Sequence, residues 1–194
     1  MKDSEDQDYH YIFGFGSIIN TSTHAPWLTA ANDGAKDGEP EPLPGQRATL
    51  LASFGYRRGW NFRSATGFTA LGIVRCAEIA AVQPGTASSC DINGVVFRIT
   101  ATMLHEGFDR REAGYDRVEI PRQYLHFHDP YSSSIGEGGG GPTTLPPPLN
   151  IQSHEKIWVY IPQAVSLATA DEDHPILQSY VNTVMQGCLA WGGP

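Results

Sequence analysis

The first segment of the sequence that could carry chemistry is a glycine-rich turn, residues 13–19 (FGFGSII). Two glycines separated by one residue allow a sharp turn and leave backbone N–H groups uncovered. Successive free N–H groups form a concave site that suits a carboxylate or a phosphate. The alternative is a plain tight turn that binds nothing. A dinucleotide-binding loop is disfavoured, because the G-x-G-x-x-G pattern requires a glycine where Ile19 stands.

The second candidate is the carboxylate of Glu112, near the end of a helix that we predict over about residues 101–113. This helix starts after Thr100 as a possible N-cap and ends at Gly114 as a C′ glycine. Leu104 and Phe108 are four residues apart and face the core, and Glu112 is the next step on the same stripe. Burial of this carboxylate would raise its pKa toward the range of a general base.

Several arginines could act either in a binding site or only as surface charges and ion-pair partners. A salt bridge would neutralise Glu112, and its candidate partners are Arg57, Arg58 and Arg110. A basic cluster near Trp60 would either line the rim of a pocket for an anionic substrate or be solvated; it consists of Arg57, Arg58 and Arg63.

Two further constellations are weaker. His126 and His128 share one face of a strand and are followed by Asp129, which is a partial Zn²⁺ ligand set, but no third ligand from elsewhere is identifiable. The alternative is that the two histidines form the polar face of an outer strand.

Ser17 is a weak candidate for a hydrolase nucleophile, because it lacks the G-x-S-x-G elbow and a His/Asp partner. The sequence therefore predicts no metal and no cofactor.

The elements that must position these residues are mostly strands. Strand-like runs occupy residues 9–15, 46–56, 68–74, 92–99, 116–120, 123–128 and 155–161. A second helix is predicted from Pro175 to about Trp191. Its apolar stripe faces the core and consists of Ile176, Leu177, Tyr180, Val181, Val184, Met185, Cys188 and Leu189. Flexible loops are predicted at about 32–45 and 131–150. Strands outnumber crossover helices too heavily for a doubly wound sheet, so we predict a single α+β domain, 1–194, with mostly antiparallel strands.

Composition limits the function classes. The chain has 194 residues, with 13 Lys+Arg against 21 Asp+Glu and a formal net charge of -8. This balance argues against nucleic acid as a partner, because phosphate binding needs a clustered cationic surface. No apolar run reaches the ~18 residues of a membrane span, and the acidic first residues are typical of neither a signal nor a transit peptide. An odd number of cysteines, 3, favours a reducing, cytoplasmic location.

The order of four segments resembles the γ-glutamylcyclotransferase-like family. They are the FGFGSII turn, the YRRGWNFRS…FTALGIV segment, the DINGVVFRIT strand and the FDRREAGYDR helix end. In that family a Tyr-Gly-Ser turn follows the first strand, and a Glu lies at the end of a helix shortly before a Tyr. The resemblance covers most of the chain from about Tyr11 to Trp191. It implies a small β-barrel-like sheet flanked by helices.

The resemblance also implies roles for individual residues. The amides of the turn Phe15-Gly16-Ser17-Ile18 would hold the α-carboxylate of a substrate, Glu112 would be the catalytic acid/base, and Tyr115 would line the pocket. Phe15 stands where the family has a Tyr, so one hydroxyl is missing. The implied reaction is intramolecular attack of an α-amine on a γ-carbonyl, which releases 5-oxoproline from a small γ-glutamyl compound. The alternative function is a non-catalytic ligand-binding or regulatory module on the same fold, for example as part of a longer polypeptide.

Overall fold

The computed structural model describes residues 9–24, 43–77, 90–129 and 148–192 of the chain. The strands in these ranges are β1 Tyr9–Gly14, β2 Gly45–Leu50, β3 Tyr56–Arg63, β4 Thr69–Arg75, β5 Ile92–Thr100, β6 Tyr115–Glu119, β7 Leu125–Phe127 and β8 Ile157–Pro162. The longer helical segments are α1, which consists of the π-helix Met103–Phe108 and the α-helical turn Asp109–Arg111, and α2, the α-helix Gln178–Ala190. Short 3₁₀ turns lie at Ser17–Ile19, Thr21–His24, Ala52–Phe54, Arg122–Tyr124 and Ala164–Ser166.

Six of the strands form one sheet in the order β6-β8-β1-β5-β2-β7, and β3 and β4 form a separate antiparallel pair. All neighbours in the large sheet are antiparallel except β1 and β8. The predicted α+β class with a mostly antiparallel sheet is therefore confirmed. In the part of the chain that the structure describes, the edge strands β6 and β7 do not pair, so the sheet stops short of a closed barrel.

Strand β1 lies in the middle of the large sheet and is buried on both faces. Its consecutive residues Tyr11, Ile12 and Phe13 are at most 1% exposed. Because successive side chains of a strand point to opposite faces, Tyr11 and Phe13 join one hydrophobic cluster and Ile12 joins another. Leu104 and Phe108 of α1 belong to the Ile12 cluster, so α1 packs on that face of the sheet.

The β3–β4 pair corrects the sequence prediction. The run 46–56, predicted as one strand, ends as β2 at Leu50; a 3₁₀ turn follows, and Gly55 turns the chain with a φ of 83°. Strand β3 was not predicted, because its arginines and Asn61 obscure the hydrophobic alternation on a strand that is half-buried along most of its length.

The start of α1 is confirmed and its end differs from the prediction. The side chain of Thr100 accepts a hydrogen bond from the Met103 amide at 3.2 Å, as expected of an N-cap. Gly114, predicted as a left-handed C′ glycine, has no positive φ. Its lack of a side chain serves packing instead, because a Cβ there would lie 2.8 Å from ring carbons of Phe62.

Helix α2 begins three residues later than predicted. The carbonyl groups of Pro175 and His174 accept hydrogen bonds from the backbone and side chain of Thr69, so this segment is tied to β4 before the helix starts. The prediction that its whole apolar stripe is core is wrong. Val184 and Gly187 are buried in α2, while the exposed apolar side chains in and before it are Ile176, Leu177, Met185 and Leu189.

Most of the two predicted loops, 32–45 and 131–150, lies outside the described residues. At the edge of the first, Leu43 is buried and the Pro44 carbonyl accepts a hydrogen bond from the Arg98 amide at 2.9 Å, so the ordered sheet begins before the predicted loop end. None of the helices in the described ranges is long and apolar enough to cross a membrane.

Candidate functional site

The turn after β1 is shaped by close packing. A Cβ on Gly14 would lie 2.8 Å from Ile18 Cγ2, and a Cβ on Gly16 would lie 3.1 Å from the hydroxyl of Tyr180. Both glycines have negative φ, so close approach explains them better than conformational freedom. The chain then enters a 3₁₀ turn at Ser17, where the Ile19 amide donates to the Gly16 carbonyl at 3.1 Å. The first residues of such a turn leave their own N–H groups available.

Glu112 is buried at the end of α1, as its place on the helix stripe predicted. Leu104 and Phe108 on the same stripe are 1% and 2% exposed, and the Glu112 side chain is 12% exposed. Burial raises the pKa of the Glu112 carboxyl above its ordinary value, and the charge of Arg111 opposes this shift. A carboxyl with a raised pKa is able to exchange a proton nearer to neutral pH.

The partner of Glu112 is the adjacent Arg111. Arg111 Nε lies 3.1 Å from Glu112 Oε1, while its other nitrogens donate to the hydroxyls of Ser17 and Thr23 at 3.1 and 3.2 Å. One guanidinium therefore joins the acid to the turn. Of the partners predicted from the sequence, Arg58 is wrong for this carboxylate, because it donates to the Phe15 carbonyl at 3.3 Å behind the turn.

One small cavity contains every site residue selected from the sequence. About 20 Å³ of it is accessible to the centre of a water molecule. Its walls include Phe15, Gly16, Ser17, Ile18, Glu112 and Tyr115, together with residues that the sequence analysis did not select: Phe13, Leu71, Tyr160 and Tyr180. The turn and the acid, 94 or more residues apart in sequence, thus share one pocket.

Two tyrosines form the walls beside the acid. The Tyr115 hydroxyl donates to the Leu71 carbonyl at 3.3 Å, and its ring stacks on Phe62 with centroids 4.0 Å apart. Burial, then the charge of Glu112, raises the pKa of Tyr115 far above its usual range. Tyr160 donates to Asp109 Oδ1 at 2.8 Å, and burial raises the pKa of this phenol as well. Both hydroxyls are therefore neutral donors at physiological pH.

The third tyrosine, Tyr180, enters the cavity from α2. Its oxygen accepts a hydrogen bond from the Leu71 amide at 3.4 Å and is also hydrogen-bonded to the backbone and side chain of Ser17. Burial raises the pKa of Tyr180 despite these bonds, so the phenol stays protonated. Tyr180 belongs to the predicted core stripe of α2, and no short-range pattern connects it with the turn.

The remaining sequence candidates lie elsewhere. Arg63 pairs with Asp171, so the predicted arginine cluster does not converge on the cavity. The rings of His126 and His128 are 5.3 Å apart, and His128 Nε2 lies 2.8 Å from Thr49 Oγ1. In the described ranges these histidines have no additional His, Cys, Asp or Glu with which to hold a metal ion.

A larger cavity of about 240 Å³ lies between β2, β5 and the end of α2. None of the six residues proposed for the turn, the acid and the pocket wall beside it lines this cavity, but the candidate metal ligand His128 does. Its polar lining comes from Arg47, Thr49, Asn93 and His128. Among the described residues that line it there is no acidic side chain, so no carboxylate is available there as a general acid/base.

The sequence matches no protein-family model and no curated protein. Among solved structures, a gamma-glutamyl cyclotransferase is 14% identical, with a TM-score of 0.54, and the match covers 96% of this chain and 82% of that one. An Arabidopsis thaliana protein is 18% identical over 88% of this chain and 77% of its own, with a TM-score of 0.44. A yeast gamma-glutamyl cyclotransferase specific to glutathione is 13% identical over 80% of this chain and 69% of its own, with a TM-score of 0.43. The first match shows that the chain has the fold of a gamma-glutamyl cyclotransferase, which confirms at the level of fold the resemblance found in the sequence.

Proposed function

We propose that the protein is a γ-glutamylcyclotransferase-like enzyme that releases 5-oxoproline from a small γ-glutamyl compound. The observation that carries this proposal is the shared cavity: a buried carboxyl, Glu112, faces the same small space as the glycine turn at Gly16 and Ser17. The fold likeness supports it independently, because the solved structure with the same fold is a gamma-glutamyl cyclotransferase.

The proposed reaction needs no protein nucleophile. The α-amine of a γ-glutamyl compound attacks its own γ-carbonyl, a new C–N bond closes a five-membered ring, and the original amide bond breaks. Glu112 takes the proton that the attacking ammonium group loses and returns it to the departing amine. The raised pKa of this carboxyl suits both transfers. Holding the substrate in a curled conformation contributes the rest of the rate acceleration, since orientation of reacting groups lowers the barrier by several kcal/mol.

The turn supplies the orientation. In this proposal the N–H groups at Phe15, Gly16, Ser17 and Ile18 hold the substrate's α-carboxylate. Arg111 adds a positive charge behind this site, because its guanidinium donates to the Ser17 hydroxyl at 3.1 Å. Tyr115 lines the pocket beside the acid. The leaving group is open between γ-glutamyl amino acids, glutathione and γ-glutamylamines.

The test is to incubate the protein with a panel of these three classes and to measure 5-oxoproline. We expect release from at least one class, and we expect Glu112→Gln to reduce turnover by ~10² or more while the protein remains folded. Glu119→Gln is the matched control, because Glu119 is half-exposed and pairs with Lys156 at 3.3 Å. Normal turnover by Glu112→Gln, with loss in Glu119→Gln, would move the acid/base role to Glu119.

The second candidate is a non-catalytic binding or regulatory module. What favours it is the small size of the cavity, about 20 Å³, with a tyrosine hydroxyl at the turn. The same panel separates the two, because a module would bind a γ-glutamyl compound without forming 5-oxoproline.

The remaining expectations belong to this proposal as well. We expect one domain over residues 1–194, a small-molecule substrate rather than nucleic acid or membrane, and no cofactor. A cytoplasmic location fits the three cysteines, Cys76, Cys90 and Cys188, none of which forms a disulfide.

A further inference from the structure

The hydroxyl of Tyr180 lies against the turn, beside Gly16 and Ser17. The Leu71 amide donates to it at 3.4 Å, and Ser17 contacts it through both its backbone and its hydroxyl. The same oxygen is 3.1 Å from the position that a Cβ on Gly16 would take. A protonated phenol oxygen is thus held by the Leu71 amide and by Ser17, and Ser17 is one of the turn residues that would otherwise receive an anion.

The tyrosine is held from one side by a helix that docks on the turn. The Asn20 side chain donates to the Thr183 carbonyl at 3.0 Å, and the Trp191 indole donates to the Ile19 carbonyl at 3.1 Å. The Tyr180 ring also packs edge-on against Trp60, with centroids 5.9 Å apart. The docking of α2 on the turn therefore determines the position of the Tyr180 hydroxyl.

The first turn of α2, which carries Tyr180, begins without a capping side chain, while the segment before it is tied to β4. The residue before the helix, Leu177, provides no side-chain cap, and Gln178 and Ser179 are exposed. A helix terminus without a cap loses little when its first turn opens. The later turns keep their contacts at Thr183 and Trp191. Tyr180 can therefore leave the turn without detachment of the whole helix.

We propose that Tyr180 gates the carboxylate site: its hydroxyl occupies the donors of the turn in the free protein, and a bound carboxylate replaces it. This inference rests on the proposed function for the identity of the anion. The exchange favours the carboxylate, because hydrogen bonds to a charged acceptor are about twice as strong as those to a neutral one. A ligand without a carboxylate has no such advantage and gains nothing by displacing the phenol.

The test uses Tyr180→Phe and a ligand that cannot be converted. The probe is glutaramate, the monoamide of glutaric acid, which has the carboxylate and the amide of a γ-glutamyl compound but no amine. Its matched control is pentanamide, in which a methyl group replaces the carboxylate. Tyr124→Phe is the control variant, because Tyr124 is half-buried and contacts Phe54 rather than the cavity.

Calorimetry should show that Tyr180→Phe binds glutaramate about tenfold more tightly than the unchanged protein, since the neutral hydrogen bonds between the phenol and Ser17 no longer compete. Pentanamide affinity should change less than twofold, and Tyr124→Phe should match the unchanged protein for both ligands. Equal or weaker glutaramate binding by Tyr180→Phe, or no binding to either protein, would overturn the gate. Weaker binding would make the hydroxyl a ligand of the carboxylate instead.

A second measurement needs no variant. In the unchanged protein, saturating glutaramate should remove the proton–proton contacts between the Tyr180 and Trp60 rings in an NMR spectrum, and their persistence would contradict the gate. The result for the gate can be distinguished from the result for the proposed enzymatic activity. If Tyr180→Phe binds glutaramate more tightly but no 5-oxoproline is released, the gate is supported and the proposed catalysis is contradicted. If 5-oxoproline is released but Tyr180→Phe binds glutaramate with the affinity of the unchanged protein, the catalysis is supported and the gate is contradicted.

Discussion

The two walls of the cavity are built differently. The wall that carries Glu112 and the turn is formed by α1 and the end of β1, and its supporting side chains Phe13, Leu104 and Phe108 are at most 2% exposed. The wall that carries Tyr180 is formed by α2, in which Met185 and Leu189 are 44% and 65% exposed. We call these the core wall and the helix wall.

This difference assigns separate tasks to the two walls. Groups that move a proton or orient a substrate must be held to within a fraction of an ångström, and the core wall provides that support. Elements with few buried apolar contacts open at a lower free-energy cost. The helix wall is of that kind, so control of access belongs there. Mutations of equal size should therefore have unequal effects on the two sides of the same cavity.

The largest difference should come from truncating an apolar side chain on each wall. Phe108→Ala removes a ring that is 2% exposed and supports the turn of the helix next to Glu112. We expect it to lower the free energy of unfolding by about 3–5 kcal/mol, as for other buried phenylalanines. Met185→Ala, at a side chain 44% exposed, should change it by less than about 0.5 kcal/mol. Urea denaturation measures both, and similar losses would remove the distinction between the walls.

The next effect depends on pH and involves the underside of the core wall. His24 is 1% exposed, and its Nε2 lies 2.7 Å from the Ile18 carbonyl of the turn. Burial, then the charge of Arg111, lowers the pKa of His24 from 6.5 to about 4. Between these values the unfolded chain binds more protons than the folded one, so stability falls as the pH falls from 6.5 to 4.

The expected loss from this histidine is about 3 kcal/mol between pH 7 and pH 4. Urea denaturation at the two pH values measures it. His24→Gln should lose correspondingly less stability on acidification, while His126→Gln, at an exposed position, should behave like the unchanged protein. An unaltered pH dependence in His24→Gln would mean that this histidine is not buried in its neutral form.

The sequence predicted the core wall well because its signals are local. The turn is encoded by two glycines within three residues, and Glu112 follows from the four-residue steps of one helix face through Leu104 and Phe108. Those patterns indicated the turn and the acid, the family resemblance added Tyr115, and all six residues line a single cavity. The patterns failed for Arg111, because spacing does not indicate which of several nearby arginines folds back onto the acid.

The helix wall was predicted poorly because its contacts are long-range. An apolar stripe indicates a buried face, but α2 docks on a turn more than 150 residues away through Gly187, Asn20 and backbone groups rather than through the whole stripe. The stripe therefore gave Tyr180 a core role, when its hydroxyl contacts Ser17 and Leu71. Strand β3, which contributes Trp60 beneath that tyrosine, was missed as well.

The smallest predicted effect concerns the contact that joins the two walls. A Cβ on Gly187 would lie 2.7 Å from the Asn20 nitrogen and 2.9 Å from the Ile19 carbonyl carbon, and backbone atoms in a packed turn cannot easily move away. Gly187→Ala should therefore push α2 off the turn at a cost of about 2–3 kcal/mol, the upper part of the range for overpacking, although alanine itself favours a helix by about 1 kcal/mol. The net loss in the free energy of unfolding should be about 1–2 kcal/mol by urea denaturation. Leu189→Ala, two residues further and 65% exposed, is the control and should change it by less than about 0.5 kcal/mol. A Gly187→Ala protein as stable as the unchanged one would mean that α2 moves away from the turn without cost, and the helix wall would then hold Tyr180 too loosely to keep the carboxylate site closed.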